Sequence, residues 1–76
     1  MAVTEKVKAL LSIKGKKNIE LAEHLGMSPQ SLQNKLNRSS FSAEDLIKIA
    51  DFTGATLAFE VIDNQKIVFE NTDIRG

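Results

Sequence analysis

The chain has 76 residues, 42% of them hydrophobic and 26% charged, with ten basic residues balanced by ten acidic ones and no cysteine. A chain this short makes one domain with a small core, of modest stability unless copies associate. Disulfides, thiolate metal sites and cysteine nucleophiles are excluded, no apolar run reaches the roughly 18 residues of a membrane span, and the early Glu5 without an apolar stretch argues against a secretory signal and for a cytoplasmic location.

Val3, Val7, Leu10 and Leu11 recur at helical spacing and predict a first helix over about 4–14, with Thr4 as its N-cap and Gly15 as its stop. Asn18 is expected to cap a second, short helix that turns Leu21, Ala22 and Leu25 inward and ends at Gly26. The next boundary is the most sharply specified. Ser28 is an N-cap type, Pro29 suits the first helical position, and Met27 can pack onto Leu32 as a hydrophobic staple, so a third helix runs over about 29–37. The same logic repeats at Ser42 and Asp45, a capping box, with Phe41 stapling onto Leu46. This fourth helix carries Leu46, Ile49, Ala50 and Phe52 to a stop at Gly54.

After Gly54 the apolar residues alternate, Leu57, Phe59 and Val61 in one run and Ile67 and Phe69 in another, which predicts a β-hairpin turning at Asp63-Asn64-Gln65. Pairing Val61 with Ile67 keeps all five on one face and leaves Ile62 and Val68 on the other. Residues 71–76 read as a frayed tail. The expected fold is mainly α: four helices over 1–54, a hairpin over 55–70 and the tail, all in one domain.

Charge is unevenly spread. Residues 1–42 hold seven basic against three acidic side chains, a net +4, and residues 43–76 hold three against seven, a net −4. One pole can face phosphates while the other faces solvent or a partner. On the third helix, Leu32 and Leu36 mark the buried side, and Gln30, Gln33, Asn34 and Asn37 line the opposite side at helical spacing. A solvated face favours Glu and Lys, whereas an amide donates and accepts at once and so matches the N6 donor and N7 acceptor of adenine in the major groove. Two short helices joined at Gly26, the second sharply capped, have the form of a helix-turn-helix with a motif over about 18–37.

The segment Leu21-Ala22-Glu23-His24-Leu25-Gly26-Met27-Ser28-Pro29-Gln30-Ser31-Leu32 resembles the helix-turn-helix of lambda-repressor-like (Cro/CI, or XRE-type) regulators, and the resemblance spans roughly residues 5–54. It implies sequence-specific binding of double-stranded DNA by a small transcriptional regulator, in the sense of a repressor. It also implies base contacts from Ser28, Gln30, Gln33 and Asn34, which Asn37 extends along the same stripe. Asn18 is similar to the residue that opens the first motif helix and contacts a phosphate. Lys35 and Arg38 flank the stripe, and Lys16 and Lys17 precede the second helix, so all four are expected at the DNA backbone.

The competing readings are plain. Without the motif, the helix pair is a hairpin of a small bundle and the amide stripe a solvated face. His24 lies among Glu20 and Glu23 on a polar side, a surface or phosphate-adjacent residue; a single histidine makes no metal site, and no cofactor or small-molecule ligand is implied. No titratable cluster has catalytic spacing, so an enzyme is not expected. The hairpin either caps the core or, with open edges, holds a homodimer through Leu57, Phe59, Ile62, Val68 and Phe69. An antitoxin-like or other protein-interaction module, with the acidic hairpin as its binding surface, is the alternative to a DNA-binding regulator.

Overall fold

The computed structural model describes residues 2–74. Four helices, α1 (Val3–Lys14), α2 (Asn18–Leu25), α3 (Pro29–Arg38) and α4 (Ala43–Thr53), precede an antiparallel hairpin of β1 (Leu57–Val61) and β2 (Gln65–Phe69), and a 3₁₀ turn follows at Asn71–Ile74. This is the mainly α order expected from the sequence, with residues 75–76 of the expected tail outside the described residues.

Local chemistry accounts for most boundaries. The Ser28 hydroxyl accepts the Ser31 N–H at 3.1 Å at the start of α3, and the Ser42 hydroxyl and Asp45 carboxylate exchange bonds with each other's backbone N–H at 3.1 and 3.0 Å at the start of α4. Such caps satisfy amide donors that have no partner inside the helix. The first two helices start differently from expectation. Ala2 and Lys17, not Thr4 and Asn18, occupy the N-cap positions, and neither caps with its side chain. Instead Glu5 and Glu20 reach back to the N–H of Ala2 at 3.1 Å and of Lys17 at 2.9 Å, so acids in the first turn replace the hydroxyl cap. Gly26 ends α2 at φ +73°, where a Cβ would meet nothing within 4 Å. Its requirement is the left-handed backbone, not space.

The core joins all four helices. Val7 and Leu11 of α1, Leu21 and Ala22 of α2, Leu32 and Leu36 of α3 and Ile49 of α4 form one buried cluster, with Leu10, Leu25, Met27, Phe41, Leu46 and Phe52 packed around it. Each fully buried leucine contributes about 1.5–3 kcal/mol relative to exposure. On α4, Ile47 and Thr53 are buried as well, whereas Leu46 and Phe52 are only partly so.

The hairpin turns sooner than expected. Val61 faces Gln65, Phe59 faces Ile67 and Leu57 faces Phe69, around a three-residue loop in which Asp63 and Asn64 both take positive φ. Asp and Asn tolerate that conformation, which allows the shorter loop. A slip of two residues preserves the face, so Leu57, Phe59, Val61, Ile67 and Phe69 still share one side, and the Phe59 and Phe69 rings meet edge to face at 5.1 Å. Val68 lies opposite Ala58 on the other side, but Ile62 belongs to the loop instead of a strand. The segment after β2 is not frayed over Asn71–Ile74. Its 3₁₀ turn packs against α4 and is closed by the Asp73 carboxylate, which accepts the Glu70 N–H at 2.8 Å.

Thr4 has a different task from the one its position suggests. It is buried, and its hydroxyl donates to the Leu36 carbonyl at 2.6 Å and accepts from the Ser39 hydroxyl at 2.9 Å. The start of α1 is thereby bonded to the end of α3, 32 residues away. Replacing Thr4 with valine keeps the shape and removes the donor, and is expected to cost about 1–2 kcal/mol. Urea denaturation measures it: the midpoint falls in Thr4→Val and falls less in Thr4→Ser, and equal midpoints in wild type and Thr4→Val would show that the bond contributes nothing.

Candidate nucleic-acid interface

Burial of Leu32 and Leu36 fixes which way α3 faces, because residues on the opposite side of a helix must then point out. Gln30, Gln33, Asn34 and Asn37 are all exposed on that side. They form two stacked pairs one turn apart, Gln30 Nε2 donating to Asn34 Oδ1 at 3.3 Å and Gln33 Nε2 to Asn37 Oδ1 at 2.9 Å. Each pair leaves a glutamine carbonyl and an asparagine NH₂ without a side-chain partner, one acceptor and one donor. Ser28 is exposed at the head of the same helix, with its hydroxyl engaged by Ser31.

The basic residues divide into two kinds. Arg38 in the last turn of α3 is exposed, as are Lys14, Lys16 and Lys17 around the α1–α2 loop, and Asn18 opens α2. Among the described residues the ion pairs are Lys35–Asp45 and Lys48–Glu44, so the charges of Lys16, Lys17 and Arg38 are uncompensated. Lys35 is the exception within the basic set named from the sequence. Its ammonium lies 2.9 Å from the Asp45 carboxylate, half-buried between α3 and α4, so its charge is already matched inside the fold.

Burial pushes the Asp45 carboxyl up, but the hydrogen bond and charge of Lys35 and the bonds from Ser42 outweigh it and hold the group below its ordinary value. Asp45 therefore serves twice, as the capping acid of α4 and as the anchor for Lys35.

A further arrangement had no local sign in the sequence. The Lys16 ammonium sits 5.2 Å from the centroid of the Phe52 ring, and His24 stacks on the same ring at 4.9 Å. These contacts bring Lys16 of the α1–α2 loop and His24 of the last turn of α2 to one ring at the end of α4. They join residues 36 and 28 positions apart, which periodicity within single helices does not register. Among the described residues no group of His, Cys, Asp and Glu is placed to hold a metal ion. No helix among them is long and apolar enough to cross a membrane.

An outward-facing polar helix, held by a capped turn against a preceding helix, defines the class: this is a helix-turn-helix protein. The particular family follows from comparison. Residues 2–64 match the bacteriophage CI repressor helix-turn-helix domain, and the chain belongs to that family of DNA-binding regulators of transcription. No curated protein and no solved structure matches the chain.

The Lys35–Asp45 pair makes a prediction about acid stability. Because the Asp45 pKa in the folded protein lies below the ordinary value of 3.8, its contribution is fully present above that pH and is lost as pH falls through the folded value. The stability difference between wild type and Asp45→Asn, from urea denaturation at a series of pH values, should be constant down to about pH 3.8 and shrink below it. In Lys35→Met the carboxylate loses its partner, its folded value moves back toward the ordinary one, and the acid-dependent loss should become smaller.

Proposed function

We propose that the protein is a transcriptional repressor that binds double-stranded DNA as a homodimer, with α3 of each subunit in the major groove of a roughly palindromic operator. The observation that carries this reading is the stripe of four exposed amides on the face of α3 opposite Leu32 and Leu36. The free carbonyl and NH₂ of each pair complement the N6 donor and N7 acceptor of adenine, so Gln30, Gln33, Asn34 and Asn37 are assigned to base edges. Ser28, whose hydroxyl is held by the cap, lies where the helix enters the groove and meets the DNA at its edge.

Phosphate contacts fall to Lys16, Lys17, Asn18 and Arg38, with the backbone N–H groups at the start of α2 beside them. Lys35 leaves this set, because moving it to a phosphate would strand the half-buried Asp45. A single motif touches few base pairs, and two copies with half-sites about one helical turn apart reach useful specificity. The alternative of a protein-interaction module draws on the exposed apolar hairpin, and the homodimer takes up that surface through Leu57, Phe59, Ile62, Val68 and Phe69.

Selecting bound sites from a random DNA pool tests the reading, which expects an enriched palindrome. On that site Gln30→Ala and Asn34→Ala should each cost about 1–3 kcal/mol in affinity while random DNA is bound as before. Equal losses on both DNAs would remove these side chains from base recognition. Arg38→Ala should weaken binding to every sequence and lower the slope of log affinity against log salt by roughly one. Lys35→Met should leave that slope unchanged; a lowered slope would return Lys35 to the backbone contacts.

A further inference from the structure

The hairpin is only partly used within its own subunit. Leu57 and Phe69 at its base are half-buried, but Phe59 on the same face is 62% exposed and Ile67 60% exposed. Two strands with a bare apolar face are marginal in water, and both have an open edge. The helical part carries a matching vacancy. Between α1 and α4 runs an apolar groove of about 280 Å³, lined by Val3, Leu10, Leu46, Ala50 and Leu57 with Lys6 at its lip. None of its lining comes from α2 or α3, so an occupant would leave the amide stripe clear.

We propose that this groove seats the hairpin of a second copy of the chain, the two hairpins exchanged reciprocally across a two-fold axis. The proposal rests on the homodimeric DNA-binding reading and supplies its contact surface. Three observations choose a second copy as the occupant. Leu57 belongs both to the groove and to the apolar face of the hairpin, so receptor and ligand form one continuous strip on each subunit, the self-complementary arrangement that a two-fold interface requires. Lengths agree: a helix of 12 residues is about 18 Å long and a strand of five about 17 Å. Charges agree too. The residues of α1 hold three lysines against Glu5, whereas residues 57–74 hold Glu60, Asp63, Glu70 and Asp73 against Lys66, so a basic helix meets an acidic hairpin.

A reciprocal exchange has a consequence that hairpin-to-hairpin contact lacks. Val3→Lys, at the groove, and Phe59→Glu, on the hairpin, should each weaken self-association by roughly ten- to a hundredfold, as loss of an apolar anchor does. Mixed together they should associate again, because the mixed dimer keeps one wild-type contact and makes one Lys–Glu contact. Sedimentation without DNA reads this, with circular dichroism confirming that each variant is folded. Where either variant loses its helical signal, Lys6→Glu and Ile67→Lys replace the pair with the charges reversed.

Monomeric single variants and a dimeric mixture support the proposal. It is overturned by a wild type that stays monomeric at high micromolar concentration, by Val3→Lys and Lys6→Glu proteins as dimeric as wild type, or by a mixture that stays monomeric. A wild type that selects an operator yet remains monomeric in this measurement sinks the docking and leaves the DNA-binding reading standing. Intact, complementing dimers without operator selection do the reverse.

Discussion

What α3 presents on its outer face depends on the burial of Leu32 and Leu36. These two side chains, set against Leu21, Ala22 and Ile49, decide the rotation of α3 about its own axis, and that rotation decides that four amides face out. The turn before α3 supports the same outcome by separate means. Gly26 supplies a left-handed residue, Met27 packs into the core, and Ser28 closes the first turn of the helix. At the other end, the Thr4 hydroxyl donates to the Leu36 carbonyl and accepts from the Ser39 hydroxyl, which in turn accepts the Thr4 N–H, so α3 is fastened at both ends and along one side. A helix so held presents its amides with little freedom left to lose on binding, which is the physical use of a rigid scaffold under a polar face.

Electrostatics in this small protein is a matter of which charges are already spent. Formal net charge is zero, and a count by segment places the excess of lysine and arginine in the first 42 residues. Geometry then subtracts from that excess. Lys35 lies on α3 one turn after Ser31 and one turn before Arg38, yet its charge turns toward Asp45 and the α4 cap. Lys16 keeps its charge: its backbone N–H is bonded to the Leu11 carbonyl at 2.9 Å, and its ammonium lies 5.2 Å from the centroid of the Phe52 ring of α4. A basic residue beside a helix-turn-helix is thus not automatically an uncompensated charge, and the carboxylate nearest to it has to be counted first.

The hairpin shows the limits of a core built from four short helices. Its base joins the helical domain where β1 meets α4 at Leu57, and its outer half leaves Phe59, Val61, Ile67 and Val68 exposed, with Ile62 at 86% in the turn. That much apolar surface at one end of a domain this size is unusual for a protein that works alone. The same segment is acidic, with Glu60, Asp63, Glu70 and Asp73 against Lys66, whereas α1 is basic.

The sequence by itself determined the four helices, their sharp starts at Ser28 and Ser42, the hairpin and the polar stripe, because each of these is written in contacts between residues three or four apart, or in strict alternation. It also carried the family, through the run from Leu21 to Leu32. Local chemistry misled it at Thr4 and Asn18, both good capping residues in the right neighbourhood, because a buried carbonyl of α3 claims the first and Glu20 caps the helix before the second is needed. The strand register was legible only to its parity, since a two-residue slip keeps every side chain on its face and loop length alone separates the alternatives. Tertiary structure alone decided the pairing of Lys35 with Asp45, the stacking of Lys16 and His24 on Phe52, and the bonding of Thr4 to Leu36. These join residues 10 to 36 positions apart, and nothing in the spacing of a chain specifies which distant polar groups meet until the core has brought its helices together.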